Sequence, residues 1–446
     1  MPSFIDGHYR RRVVRLRSQH DREILRLALP ALGALAAEPL YVLVDTAIVG
    51  HLGRPQIAAL GLAGTVLASA FTIFNFLTYG TTAIVARASG AGQHERAARL
   101  AAQALWLSLA IGLMLLLVLE AVGAPLLRGL GAHGRSGHDA LVYFRIQAIG
   151  LPAALVALAG QGYLRGVANM RRPFEVVVVA NVANIVLEVV FVYVLHWGIA
   201  GSAAGTAIAQ AGMGIAFARE LLRPHADSRR PSIAEMRPMM RVGRQIMVRT
   251  TALIASFVVA ASICARMGDA QIGAHQIAYQ LFLFLALVLD AVAIAGQVIV
   301  GRMLGAGDAD GAHAAAVRMI GWSVVVGALF AIVLLPLAHV IPRAFTGDAS
   351  VLAQAAKLWP YFALMQPIGG AVFALDGILI GASDTAYLMW SMLAASAVFV
   401  SIAVLSLSLH WGIVGVWAGL DVLIAVRLGL LGARFVGRRW AVVGYA

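Results

Sequence analysis

Runs of twenty or more apolar residues, separated by short polar or glycine-rich segments, recur along the whole chain. Each run is long enough to cross a hydrocarbon core of ~30 Å as a helix. They predict twelve spans, near 24–50, 57–84, 100–122, 140–163, 174–195, 198–217, 245–264, 272–300, 314–338, 353–380, 384–408 and 412–431. The alternation of an outer-membrane barrel strand is absent. The pattern therefore predicts an all-α polytopic membrane protein. The longest connection, 218–244, is rich in Arg and Pro. It divides the chain into lobes at 24–217 and 245–431, with a basic arm at 1–23 and a tail at 432–446.

The two halves repeat one another. "VARASGAG" (85–92) aligns with "VGRMLGAG" (300–307) at an offset of 215, and "LGRPQI" (52–57) aligns with "MGDAQI" (267–272) at the same offset. Pro152 with Pro367 and Gly166 with Gly381 keep that register, and "LHWGIAG" (195–201) matches "LHWGIVG" (409–415) at 214. Six spans per repeat put both copies into the membrane in the same direction. An axis along the membrane normal then relates them, as in transporters built from parallel repeats.

Composition and charge sharpen this picture. The 446 residues are 61% hydrophobic and 12% charged, where a soluble chain carries roughly 25% charged. In a soluble protein a net charge of +13 would suggest nucleic acid. Here the basic residues cluster between spans, which favours membrane topology and anionic lipid headgroups instead. Of the 34 Lys and Arg residues, 25 fall in segments on the side of the two termini and six in the opposite loops. That asymmetry predicts a multi-pass protein of the cell membrane with both termini cytoplasmic. The apolar run after the arm is too long for a signal-peptide core. The single cysteine, Cys264, lies within a span, so no intramolecular disulfide forms.

A charge at bilayer depth is costly, by ~2.5–3.5 kcal/mol on insertion scales, and calls for a function. In "EPLYVLVDTAIVGHLG" (38–53), Glu38, Tyr41 and Asp45 are spaced three and four apart and share one helix face. In "NVANIVLE", Asn181, Asn184 and Glu188 do the same on the fifth span. Asp45 and Glu188 fall five and seven residues from the estimated ends of their spans, ~7–11 Å below one boundary. The two carboxylates can therefore occupy one level of one lobe. In a low-dielectric cleft such a pair takes up and releases a cation as access switches between sides. Asp45 falls opposite Ala260 in the second repeat, and Asn184 opposite Val398 or Phe399. The polar site survives in one lobe, which favours function over scaffolding.

Pro30 and Pro39 interrupt the hydrogen bonding of the first span, and Pro30 is the candidate hinge. Glu38, Tyr41, Asp290 and Asp376 are candidates for the walls of a substrate cavity. The two aspartates of the second lobe could equally pair with nearby arginines. Arg87 and Arg302 occupy equivalent positions beside Gly-Ala-Gly turns, as topology anchors. His133, His138 and Asp139 have a loosely metal-like spacing in a loop where solvation explains them better. No phosphate-binding loop, nucleophile elbow or zinc motif occurs, so ATP-driven transport, hydrolysis, a cofactor and a bound metal all lack support.

With "EPLYVLVDTAIVGHLG" on the first span, "NIVLE" on the fifth and "LDGILIGASD" near 375–384, the chain resembles the multidrug and toxic compound extrusion (MATE) transporters. It is most similar to their DinF-like branch, over roughly residues 20–437. The resemblance implies a V-shaped antiporter that exports amphipathic, often cationic small molecules in exchange for H+ or Na+. Asp45 matches the carboxylate implicated in cation coupling, and Pro30 the proline at which the first helix bends in some members. Asn184 and Glu188 match an Asn and an acid four residues later, with Glu here where Asp is familiar. Membrane lipids are the other expected partner, with no nucleic acid and no obligate protein partner. A flippase for a lipid-linked precursor would need a cationic cavity, and a channel would need a continuous polar pore. The isolated intramembrane acids favour neither, nor a non-transporting scaffold.

Overall fold

The computed structural model describes residues 19–226 and 229–444. Most of the expected arm at 1–23 therefore lies outside the described residues. In the first lobe, α1 (Gln19–Gly50) runs unbroken through Pro30 and Pro39. It is followed by α2 (Arg54–Ile73), α3 (Phe76–Gly90), α4 (His94–Gly129), α5 (Gly134–Ala148) and α6 (Leu151–Gly166). Next come α7 (Arg171–Val189), which ends in a wide π turn over Val190–Val194, and α8 (Gly198–Leu222). The second lobe holds α9 (Ile233–Met267), α10 (Asp269–Gly305), α11 (Ala309–Leu334), the short α12 (Ile341–Phe345), α13 (Ala349–Gly381), α14 (Thr385–Ser408) and α15 (Gly412–Val436).

These helices make twelve spans. The second is broken at Phe74–Asn75 between α2 and α3. The fourth bends by 48° between α5 and α6, where Pro152 sits in the first turn of α6 and supplies no backbone donor. Eleven spans are long and apolar enough to cross a membrane, counting that bent pair once. The twelfth, α8, has 25 residues, about 37 Å at 1.5 Å per residue. Gly, Ala, Ser and Gln dilute its apolarity.

The duplication is written into the backbone. Ala168 and Ser383 both adopt left-handed conformations, with φ of 60° and 59°, and His196 and His410 do so at 57° and 56°. Gly53 and Gly268 match at 130° and 133°. All three pairs fall at the repeat offset. The closing hydrogen bonds match as well. Asn169 N–H donates to Leu164 O (2.8 Å) as Asp384 N–H does to Leu379 O (2.9 Å). Left-handed φ is unfavourable for side-chain-bearing residues, so its recurrence at paired positions reflects common descent of the two loops.

The lobes meet at the end that carries the basic loops. There α3 and α10 cross with almost no side chain between them. A Cβ built at Gly90 would lie 2.0 Å from Arg302 O, and one at Gly305 would lie 2.1 Å from Arg87 O. Ala86 and Gly90 on α3, and Gly301 and Gly305 on α10, are the same repeat positions. They form a small-xxx-small pair of the kind that lets membrane helices approach closely. Around this crossing, α1 is clamped to the second lobe. Arg318 Nε and Nη2 donate to Asp21 at 2.6 and 2.8 Å, and Arg302 pairs with Glu23 at 3.0 Å. Arg87, fully buried, donates to the carbonyls of Ala382 (2.8 Å), Val442 and Gly444 (2.8 Å). The two arginines expected as topology anchors thus help seal the lobes together.

Candidate coupling site and cavity

The first lobe encloses a cavity of about 610 Å³, walled by α1, α2, α3, α5, α6, α7 and α8. Two helix faces bring polar groups to one side of it. Asn181 Nδ2 on α7 donates to Ala37 O on α1 (3.1 Å). Phe174 packs against Gly33, where a Cβ would come within 2.6 Å of the ring. These contacts fix the register of α1 against α7 and bring Asp45 beside Glu188. The two carboxyls are immediate neighbours, and both are buried.

The third wall of the pair is α8. Its Gly201-Ser202 and Gly205-Thr206 steps repeat at four residues and so share one face. Gly205 lets α7 approach until its would-be Cβ lies 3.1 Å from Glu188 Cγ. Ser202 Oγ–H donates to Asp45 Oδ1 (2.7 Å). Tyr41 Oη–H donates to Glu188 Oε1 (2.9 Å), and Thr206 Oγ1 lies 3.2 Å from the same oxygen and 2.8 Å from Tyr41 Oη. Asn184 Nδ2 reaches Thr206 Oγ1 at 3.5 Å, and the Tyr143 hydroxyl from α5 adjoins Asp45 and Ser202.

Counting protons shows what is missing. Each hydroxyl has one proton to give, so Glu188 Oε1 receives at most two. Glu188 Oε2 is buried and has no donor among the described residues. No Lys or Arg lies within salt-bridge distance of either carboxyl among those residues. The position equivalent to Asp45, Ala260, is fully buried in apolar packing.

The other sequence candidates divide. Glu38 and Tyr41 line the cavity with Asp45, Asn181 and Asn184, and Glu38 is exposed to it. Asp290 and Asp376 lie outside its walls. Asp290 Oδ2 accepts from Tyr79 Oη–H (3.0 Å) across the lobe boundary. Asp376 is buried between Arg427, at 2.6 and 2.7 Å, and Arg249. It is the shared counter-charge of two guanidiniums within the second lobe. Asp139 accepts from Gln56 (3.3 Å), and no group of three or more metal-ligating side chains occurs among the described residues.

Sequence reasoning missed Ser202, Thr206 and Tyr143. The signal for the first two was present: a Gly-Ser and a Gly-Thr step four residues apart in an otherwise apolar span. Nothing local marks Tyr143, which tertiary packing of α5 brings beside Asp45. Arg165, two residues beyond the expected end of the fourth span at 163, is likewise unmarked in the sequence, yet it is buried and lines the cavity.

Twelve spans in two like lobes, with one intramembrane cavity beside a buried carboxyl pair, define a two-lobed helical transporter. The MatE family model matches residues 30–190 and 246–429, and the chain belongs to that family of multidrug and toxic compound transporters, in its DinF-like branch. It is 31% identical to DNA damage-inducible protein F of Escherichia coli, over 94% of this chain and 93% of that protein. It is 30% identical to Protein DETOXIFICATION 44, chloroplastic, of Arabidopsis thaliana, over 94% of this chain and 82% of that protein. Among solved structures, a MATE transporter in the bent conformation superposes with a TM-score of 0.85 at 20% identity, covering 95% of each chain.

Proposed function

We propose that this transporter is a cation-coupled antiporter of the cell membrane. A proton exchanges at the Asp45–Glu188 pair while amphipathic, often cationic molecules leave through the first-lobe cavity. The observation that carries this reading is the pair itself: two adjoining buried carboxyls with hydroxyl partners and no cationic one. Two unit charges ~4 Å apart at an effective dielectric of ~20 repel by roughly 4 kcal/mol. A cation bound there relieves that repulsion, and a proton on one carboxyl supplies the donor that Glu188 Oε2 lacks. Because the pair joins α1, α7 and α8, loading it changes how those three helices pack, with Pro30 as the proposed hinge of α1. Sodium is the second candidate, since carboxylate and hydroxyl oxygens also suit a hard cation. No cofactor beyond the coupling ion is invoked.

From the excess of basic residues in its loops we infer that the sealed end of the lobes faces the cytoplasm, with both termini there. The arrangement is then closed on the inside. The test is transport by the purified protein in proteoliposomes under an imposed proton or sodium gradient. Asp45→Asn should abolish proton-driven efflux and leave substrate binding in place. Full proton-driven efflux by a well-folded Asp45→Asn protein would refute the coupling role, and efflux driven by sodium alone would reassign the ion.

A further inference from the structure

Resting on the transport reading above, we propose that Arg165 and Gln161 form an anion-binding subsite on the floor of the first-lobe cavity. The cargo that fits is a zwitterionic amphipath. Its carboxylate, sulfonate or phosphate docks on Arg165 and its cationic group faces Glu38.

Arg165 is 6% exposed and belongs to the cavity lining. A guanidinium carries five N–H donors and no acceptor. Its one hydrogen bond among the described residues runs from Nη2 to Gln161 Oε1, a neutral amide, at 3.2 Å. The nearest acid is Asp290. It lies beyond salt-bridge distance, behind the cavity wall, with an oxygen engaged by Tyr79. A buried charge without a bonded counter-charge is expensive, and the remaining donors of Arg165 find no protein acceptor.

The second lobe shows what a self-contained arrangement looks like. The repeat offset places Gln161 opposite Asp376 and Arg165 opposite Ile380. Asp376 holds both Arg427 and Arg249, so that lobe gives its buried guanidiniums a bonded counter-charge of its own. The first lobe has an amide where the second has the carboxylate, and its arginine faces open space. A planar guanidinium suits carboxylate, sulfonate and phosphate oxygens bidentately. Glu38 lies on the α1 wall one residue from Ala37, whose carbonyl meets Asn181. The cavity therefore carries a carboxylate on its α1 wall and a guanidinium on its α6 wall.

The experiment measures equilibrium binding to the full chain in lipid nanodiscs without any gradient. The probes are three fluorescent naphthalenes carrying a trimethylammonium group, a sulfonate, or both at opposite ends. The zwitterion should bind the parent protein most tightly. Arg165→Gln should weaken the zwitterion and the sulfonate at least tenfold and leave the ammonium probe within twofold. Arg165→Lys should recover part of the loss. Asp290→Asn, which removes the competing carboxylate, should tighten sulfonate binding. Equal weakening of all three probes by Arg165→Gln, or sulfonate binding indifferent to both variants, would overturn the subsite. The coupling reading fails separately, through loss of gradient dependence with probe binding intact.

Discussion

Adding one carbon at Gly90 should push the lobes apart at their sealed end. The would-be Cβ of Gly90 lies 2.0 Å from Arg302 O and 2.7 Å from both its C and Cα, whereas ordinary contact begins near 3.4 Å. The helices must separate by roughly 1.4 Å to accept it. The obstructing atoms are backbone of α10, so no rotamer change relieves the clash. Overpacking of this kind costs about 1–3 kcal/mol. The cost falls only on states in which α3 and α10 touch. An equilibrium biased by that amount shifts roughly five- to 150-fold toward the state open at the basic end. Spin labels at Gln93 and Ala306, both exposed at that end, in a Cys264→Ala background, would report the shift as a new longer distance. Gly305→Ala, facing Arg87 O at 2.1 Å, should act in the same direction. Gly61→Ala, with open space around it, should leave the distances unchanged. A folded Gly90→Ala protein with the parent distance distribution would refute the idea that this crossing is the seal.

Other expectations are as direct. Glu188→Asp should keep gradient-driven transport at reduced rate and Glu188→Gln should lose it; equal transport by both would mean that charge at this position is dispensable. Asp376→Asn leaves Arg249 and Arg427 buried without a counter-charge and should cost up to about 3–5 kcal/mol of stability. A thiol-reactive dye that reaches the buried Cys264 only on unfolding would read this as a lowered midpoint, and an unchanged midpoint would show the triad to be idle. At the exposed start of α13, the Ser350 hydroxyl and the backbone N–H groups of Val351 and Ser350 bond Asp348 and hold its carboxyl below the usual carboxylate range. A depressed folded value stabilises above the unfolded one and is lost as pH falls through the folded one. The protection of the amides at Ser350–Leu352, relative to their intrinsic exchange rates, should therefore fall with acidification, and Asp348→Ala should remove that dependence.

How much of this was legible in the sequence depended on whether the signal was local. Spans and duplication were, because apolar runs and the "VARASGAG"/"VGRMLGAG" register need no tertiary information. The pairing of Asp45 with Glu188 followed from depth, since both faces could be placed by counting residues from their span ends. The break at Phe74–Asn75 was invisible, for neither residue is a helix breaker and tertiary packing imposes it. The fate of Asp376 was open because its partners, Arg249 and Arg427, are 127 and 51 residues away. Arg165 carried no signal of its own, because its place before a basic loop says nothing about which way a side chain turns.

Arg87 is gripped by main-chain oxygens of Val442, Gly444 and Ala382. Main-chain oxygens are common to all twenty amino acids, so this clasp recognises a path through space rather than a spelling. Side chains at 442 and 443 are thereby free to drift over evolutionary time without loosening it, whereas Gly444, at φ 85°, turns the chain in a way that favours glycine. A one-residue insertion after Trp440 would instead present the wrong oxygens, and would alter the molecule while leaving every familiar motif untouched.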